Sequence, residues 1–187
     1  MANLSGKKIL ILATNGFEQS ELEVPRDTLK EAGATVHVAS PESGEIKGWD
    51  KTDWGRSVKV DRKLKDVAAD DYDAIVLPGG QINPDILRAD AAAVALIREF
   101  FNQKKVVAAI CHAPWLLIEA SVIKGRKVTS YNSIKTDVIN AGGIWEDSPV
   151  VVDQGLITSR NPGDLKAFSG KIIEEVAEGR HLQRSAA

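Results

Sequence analysis

Cys111, the only cysteine in the sequence, stands where a nucleophile would be presented. Before it, Val106-Val107-Ala108-Ala109-Ile110 is a run of small and β-branched apolar residues; after it, His112-Ala113-Pro114-Trp115 opens a helix-like stretch. A strand turning sharply into a helix at the reactive residue is the elbow that exposes a nucleophile at the top of an α/β sheet. The helix start adds positive dipole and free backbone N–H groups beside the sulfur, favouring thiolate over thiol. The competing reading is an inert core cysteine, since free cysteine is among the most buried residue types.

A thiol nucleophile also needs a base or a positive field, donors for an oxyanion, and something that fixes its geometry. His112 is next in sequence, yet neighbouring side chains at a tight elbow usually point apart, so it stands as either base or structural residue. Its backbone N–H is better placed, because the amide after the nucleophile commonly forms half of an oxyanion hole. Gly79-Gly80, after Ala74-Ile75-Val76-Leu77-Pro78, supply the other half if their amides turn inward. A plain tight turn is the alternative, and the spacing is neither that of a P-loop nor of a dinucleotide fingerprint.

Glu18 and Glu21 fall in the first turn of a helix expected over about 18–32, where carboxylates complement the dipole. Three residues apart, they share a face, so one can enter the crevice while the other caps the helix. A protonated carboxyl beside a thiolate would donate to the sulfur and lower the thiol pKa. Asp85, after Pro84, reads as a helix-start residue. His37 lies inside a strand and His181 in the tail, so neither competes with His112.

The elements that must position these groups are apolar bursts separated by helical patterns. The bursts are residues 8–13, 36–39, 74–78 and 106–110, continuous rather than alternating, as in parallel strands covered on both faces. Strand alternating with helix predicts βαβ units and an open, doubly wound α/β sheet, whose ligand crevice lies outside the carboxyl ends of the strands. Residues 15–18, 78–81 and 110–112 then converge at one edge. Residues 44–59, carrying Trp49 and Trp54, are expected to form a loop or short hairpin. Residues 149–159 read as a β-hairpin turning at Gln154-Gly155, and a last helix is expected over about 164–178.

The length of 187 residues suits one domain, with its core over about 7–179 and a frayed tail over 180–187. A formal charge of −2 and a pI near 6.0 provide no basic surface for nucleic acid or an anionic membrane. One cysteine excludes an intrachain disulfide and any multi-cysteine metal site, and no run approaches the ~18 apolar residues of a membrane span. The expectation is a cytoplasmic protein with no metal or cofactor.

Taken together, Asn15-Gly16-Phe17-Glu18-Gln19-Ser20-Glu21-Leu22, Leu77-Pro78-Gly79-Gly80 and Ala109-Ile110-Cys111-His112-Ala113-Pro114 resemble the PfpI family, which includes intracellular protease I and the parkinsonism-associated deglycase. Gly125-Arg126-Lys127-Val128-Thr129-Ser130-Tyr131, Ala141-Gly142-Gly143 and Val150-Val151-Val152-Asp153 extend the match to nearly the whole chain. The resemblance implies a flavodoxin-like fold of the class I glutamine amidotransferase-like superfamily. It also implies a homodimer or higher homo-oligomer. Carried over by position, Cys111 is the nucleophile and His112 its neighbour in the catalytic pair. Glu21 is the glutamate at the sulfur, with Glu18 in the same motif, and Tyr131 is a pocket tyrosine. Asp85 matches a position where protease-like members place an acid from a neighbouring subunit, although here it is Asp behind a loop one residue longer.

The implied activity is that of a stress-protective cysteine hydrolase acting on aldehyde-modified amino groups or peptides, as deglycase, glyoxalase-like enzyme or peptidase. The alternative is a redox-sensing or chaperone-like protein whose cysteine is oxidised, with Trp49 and Trp54 on a partner surface. The superfamily's amidotransferases use a downstream His-x-Glu pair; His181 is followed by Leu182 and Gln183, which does not match.

Overall fold

The computed structural model describes residues 2–182. In chain order its elements are β1 (Lys8–Leu12), β2 (Phe17–Glu18), α1 (Gln19–Glu31), β3 (Thr35–Ser40), β4 (Glu45–Asp50), β5 (Asp53–Lys59) and β6 (Arg62–Lys63). Then come β7 (Ala74–Leu77), α2 (Ile82–Arg88), α3 (Ala91–Asn102), β8 (Val106–Ile110) and α4 (Pro114–Glu119). The chain closes with β9 (Lys127–Val128), α5 (Lys135–Asn140), β10 (Ile144–Trp145), β11 (Val150–Asp153), β12 (Leu156–Ser159) and α6 (Leu165–Glu178).

Every expected strand burst enters one sheet, in the order β11-β12-β8-β7-β1-β3-β6. All its pairings are parallel except β11 with β12. Side chains alternate between its faces. Leu10, Leu12, Ile75, Leu77, Val107 and Ala109 join Leu87, Phe100 and Leu116 from α2, α3 and α4 in one half of the core. Ile9, Ile11, Val76, Val106, Ala108 and Ile110 join Leu22, Leu29, Phe168 and Ile172 from α1 and α6 in the other. Burial on both sides explains why the strands read as unbroken apolar runs, and makes this a flavodoxin-like, doubly wound α/β fold.

Local signals set the element ends. Asp90 caps α3 by accepting from the N–H groups of Ala92 and Ala93, at 2.8 and 3.1 Å. Gln154 and Gly155 take φ of +50° and +80°, the left-handed pair of a tight hairpin, as the β11–β12 turn requires.

Of the two forms expected for the excursion at 44–59, the hairpin is the one found. β4 and β5 form an antiparallel hairpin, and β4 also pairs in parallel with β2, making a separate three-stranded sheet. At the tail, His181 donates its N–H to the Lys104 carbonyl at 2.9 Å and its ring meets Glu175 at 3.2 Å. The chain is therefore docked as far as His181, not frayed from residue 180; residues 183–187 lie outside the described residues. Among the described residues no helix is long and apolar enough to cross a membrane.

Candidate active site

Three strand ends do converge at the carboxyl edge of the sheet. β8 delivers Cys111, β7 delivers Gly79 and Gly80, and the turn after β1 leads through β2 into α1 with Glu18 and Glu21. Cys111 has φ of +64°, a left-handed conformation that non-glycine residues adopt only when their surroundings impose it. Its N–H donates to the Ser159 carbonyl at 3.0 Å and its own carbonyl accepts from Tyr131 at 2.8 Å, which clamps the elbow. The following helix, α4, is only six residues long and starts at Pro114, so its dipole at the sulfur is small.

The backbone amides of Gly80 and His112, the two expected to hold an oxyanion, act on the sulfur in the direction that favours its ionised form. Gly80 reaches inward because it takes φ of +80°. A β-carbon there would lie 2.6 Å from the Gly16 carbonyl oxygen. Gly79 is equally constrained: a β-carbon would fall 2.6 Å from Glu21 Oε2 and 2.7 Å from Cys111 Cβ. The glycines thus serve both as a turn and as a close passage between thiol and acid.

Glu21 is fully buried and its Oε2 accepts the Gly79 N–H at 2.8 Å. Its Oε1 has no hydrogen-bond partner among the described residues. Burial is the main cause that pushes this carboxyl up to about 8; the Gly79 N–H opposes the rise and the charge of Glu18 adds to it. Burial likewise pushes the Cys111 thiol up, and an ionised Glu21 adds to that. The two groups compete for one negative charge and titrate as a pair. Once Glu21 keeps the proton, its repulsion is gone and its O–H becomes a donor for the thiolate.

His112 does not point away. Its Nδ1 lies 3.2 Å from Cys111 Sγ and its Nε2 lies 3.1 Å from Ser133 Oγ. The ring stacks on Tyr131 at 4.8 Å between centroids and meets the Trp115 ring edge-on at 5.2 Å. Burial lowers its pKa, which favours the neutral imidazole. With a neutral ring, the consistent pairing has S–H donating to Nδ1 and Nε2–H donating to Ser133.

These groups open on a cavity of about 400 Å³, which Glu18, Tyr131, Trp49 and Lys51 also line. Glu18 is half-buried at the start of α1; burial raises its carboxyl, Ser20 and Lys51 lower it, and Asp50 raises it further. Asp85 sits exposed in the first turn of α2 and does not line this cavity. Within one chain, Ser133 rather than an acid faces the outer nitrogen of His112.

Ser133, Asn83 and the tip of the β4–β5 hairpin were not visible as site residues in the sequence. Asn83 is fully buried, accepts the Thr14 N–H at 2.8 Å, and donates to the carbonyls of Pro78 and Gly79 at 2.8 and 3.2 Å. Its position four residues after Gly79, in a helix start, is the only signal it carries.

The chain is similar to known proteins along most of its length. The model of the DJ-1/PfpI family matches residues 7–175. Deglycase PfpI of Pyrococcus furiosus is 47% identical over 167 residues, spanning 89% of this chain and 98% of that protein. General stress protein 18 of Bacillus subtilis is 45% identical over 166 residues, spanning 88% of this chain and 94% of that protein. The crystal structure of Drosophila melanogaster DJ-1beta superposes with a TM-score of 0.84 at 34% identity, covering 95% of this chain and 91% of that one.

Proposed function

The chain belongs to the DJ-1/PfpI family, and from that premise we propose that it is a cysteine-dependent hydrolase that removes aldehyde-derived adducts from amino groups. One observation carries the reading. Cys111 Sγ, on a strained elbow, lies 3.2 Å from His112 Nδ1 at the wall of a cavity large enough for a modified amino acid side chain. The relative named a deglycase, similar over almost its full length, points the same way.

In this reading the adduct is a carbinolamine. The thiol proton passes to His112 Nδ1, which hands it to the nitrogen as the C–N bond breaks, while the carbinol hydroxyl gives its proton to Glu18 and becomes a carbonyl. The sulfur adds to that carbonyl carbon: a C–S bond forms, the carbonyl electron pair moves to oxygen, and the amides of Gly80 and His112 receive the oxyanion before Glu18 returns the proton. Water then displaces the sulfur from this hemithioacetal, releasing the aldehyde as its hydrate and restoring the thiol. Tyr131, stacked on His112, holds the ring in the orientation this transfer needs. The unbridged cysteine suits a reducing cytoplasm, and a stress-protective role fits the relative named a general stress protein.

The test is a parallel rate measurement with methylglyoxal, a methylglyoxal-modified amino acid and a fluorogenic peptide, with Cys111→Ser as the blank. The wild-type protein should release the free amino acid and the variant should fall to background. Equal rates for the two proteins would overturn the assignment.

A further inference from the structure

The β4–β5 hairpin brings to the active-site cavity one charged group that the reaction above does not use. β4 pairs with β2 so that Trp49 lies beside Glu18, and Asp50 pairs with Asp53, leaving Lys51-Thr52 as a two-residue turn. Lys51, the first residue of that turn, is left-handed with φ of +58°. Glycine, asparagine and aspartate suit such a position, and lysine is an unfavourable occupant. The turn is also held in place. Trp49 Nε1 donates to the Lys51 carbonyl at 2.9 Å, and the Trp49 ring meets Trp54 edge-on at 5.5 Å. Gln19 Oε1 accepts the Arg56 N–H at 2.6 Å and Arg56 pairs with Glu23, which ties the hairpin to α1.

Lys51 lines the cavity together with Cys111, Glu18 and Tyr131, and among the described residues it is the one lysine or arginine that does so. Among the described residues it makes no ion pair. It stands exposed at the mouth, whereas Cys111 is buried at the floor. Its charge favours the ionised form of Glu18, so the two face a common space. An ammonium on a flexible stem is a point charge suited to a carboxylate. Position decides which carboxylate. The reaction assigned to Cys111 holds the aldehyde-derived carbon at the sulfur, so the amine half of the adduct extends toward the mouth. A carboxylate on the carbon next to that nitrogen arrives where Lys51 stands. A carboxylate on the aldehyde half would instead lie against Glu18, where like charges repel.

We infer that Lys51 is a specificity-determining residue that binds the α-carboxylate of the amine, so that the preferred substrates are adducts on the α-amino group of free amino acids. The inference rests on the hydrolase reading of Cys111 and names the substrate class within it.

The test compares kcat/KM for the methylglyoxal adducts of alanine and of alaninamide, which differ by one charge. In the wild-type protein the alanine adduct should be favoured by about fivefold, less as salt is added. Lys51→Asn removes the charge but keeps a residue that tolerates the left-handed turn, so the ratio should fall to about one without loss of the fold. Lys51→Glu should invert it. A wild-type ratio near one overturns the inference. So does an equal loss on both adducts in Lys51→Asn, which would mean that the ammonium acts through Glu18. The glyoxylate adduct of alaninamide carries its carboxylate on the aldehyde half and should show no preference. A preference for it that Lys51→Asn abolishes would also overturn the assignment.

A second measurement does not depend on hydrolysis. Cys111, the only cysteine, is alkylated with iodoacetylglycine and with iodoacetylglycinamide, its thiolate displacing iodide from each. The ratio of the two rates cancels any change in thiol ionisation. It should fall about fivefold in Lys51→Asn, and an unchanged ratio overturns the inference. If neither adduct is turned over faster than by Cys111→Ser, the hydrolase reading fails, and the alkylation ratio still decides whether Lys51 binds the carboxylate.

Discussion

Cys111 Sγ and His112 Nδ1 stand 3.2 Å apart although the two residues are consecutive, and side chains on consecutive residues normally diverge. The left-handed backbone at Cys111, φ of +64°, is the unusual feature at the junction. It turns the thiol back toward the ring instead of leaving it on the opposite side. The outer nitrogen of the same ring is tied to Ser133, so the imidazole has one orientation rather than two.

This contact predicts separate consequences for the ring and its tether. His112→Ala should lower kcat/KM by about 10²–10⁴-fold, the range of a lost acid–base group. Ser133→Ala should lower it only a few-fold, since one neutral hydrogen bond of roughly 1 kcal/mol is removed. Measured rates in the opposite order would mean that the histidine is structural and the serine takes part in the chemistry.

Glu21 should govern the pH response of both rate and stability. Its pKa is raised in the fold from 4.5 to about 8, so between those values the folded state binds more protons than the unfolded chain. Stability must therefore be highest below pH 4.5 on this account and decline as pH rises toward about 8. Glu21→Gln should remove that part of the slope and melt at a higher temperature than wild type at pH 9. The rate, in contrast, should rise through the same region, as the Glu21–Cys111 pair loses its first proton. In Glu21→Gln the rising limb should move, because the thiol must then ionise without an acid to hold its proton. An unchanged pH–rate profile would separate Glu21 from the sulfur.

Gly79 and Gly80 should both resist replacement, for different reasons. In Gly79→Ala the new methyl falls between Glu21 Oε2 and Cys111 Cβ, so thiol and acid must separate. In Gly80→Ala the φ of +80° is unfavourable and the methyl presses on the Gly16 carbonyl. Each should destabilise by about 1–3 kcal/mol and reduce turnover at least as far as His112→Ala. Thermal melts together with initial rates would check this; a fully active Gly80→Ala would show that turnover does not depend on the close passage of this loop against Gly16.

The parallel sheet was legible because β1, β7 and β8 are buried on both faces, and such strands leave an unbroken apolar trace. The glycine pair and Cys111 were legible because backbone crowding and nucleophilic chemistry each admit few residue types. The β4–β5 hairpin was less so. Its pairing with β2 depends on Gly48 passing the Phe17 ring, a contact between residues 31 positions apart that no local pattern records. The meeting of Cys111 with His112 was obscured for another reason: it follows from one backbone angle, and sequence near the elbow does not state that angle. Ser133 and Asn83 are ordinary polar residues by local pattern, and only tertiary contact distinguishes them.

Asn83 carries the last prediction. Its side chain ties the loop after β1 to the loop after β7, accepting from Thr14 and donating to Pro78 and Gly79. Asn83→Ala leaves the Thr14 N–H and the Pro78 carbonyl without this partner in a buried place, at a cost of about 2–4 kcal/mol. For a chain of this size that is a fall in Tm of roughly 5–15 °C. Because Gly80 follows the same loop, kcat should fall more than KM rises. Asn83→Asp keeps the acceptor for Thr14 but sets a carboxylate against two carbonyl oxygens. It should be at least as destabilising as alanine near neutral pH and recover as pH falls, when the protonated acid can donate to Pro78. A Tm for Asn83→Asp that does not rise on acidification relative to Asn83→Ala would show that the donor side of Asn83 is not what holds the glycine loop.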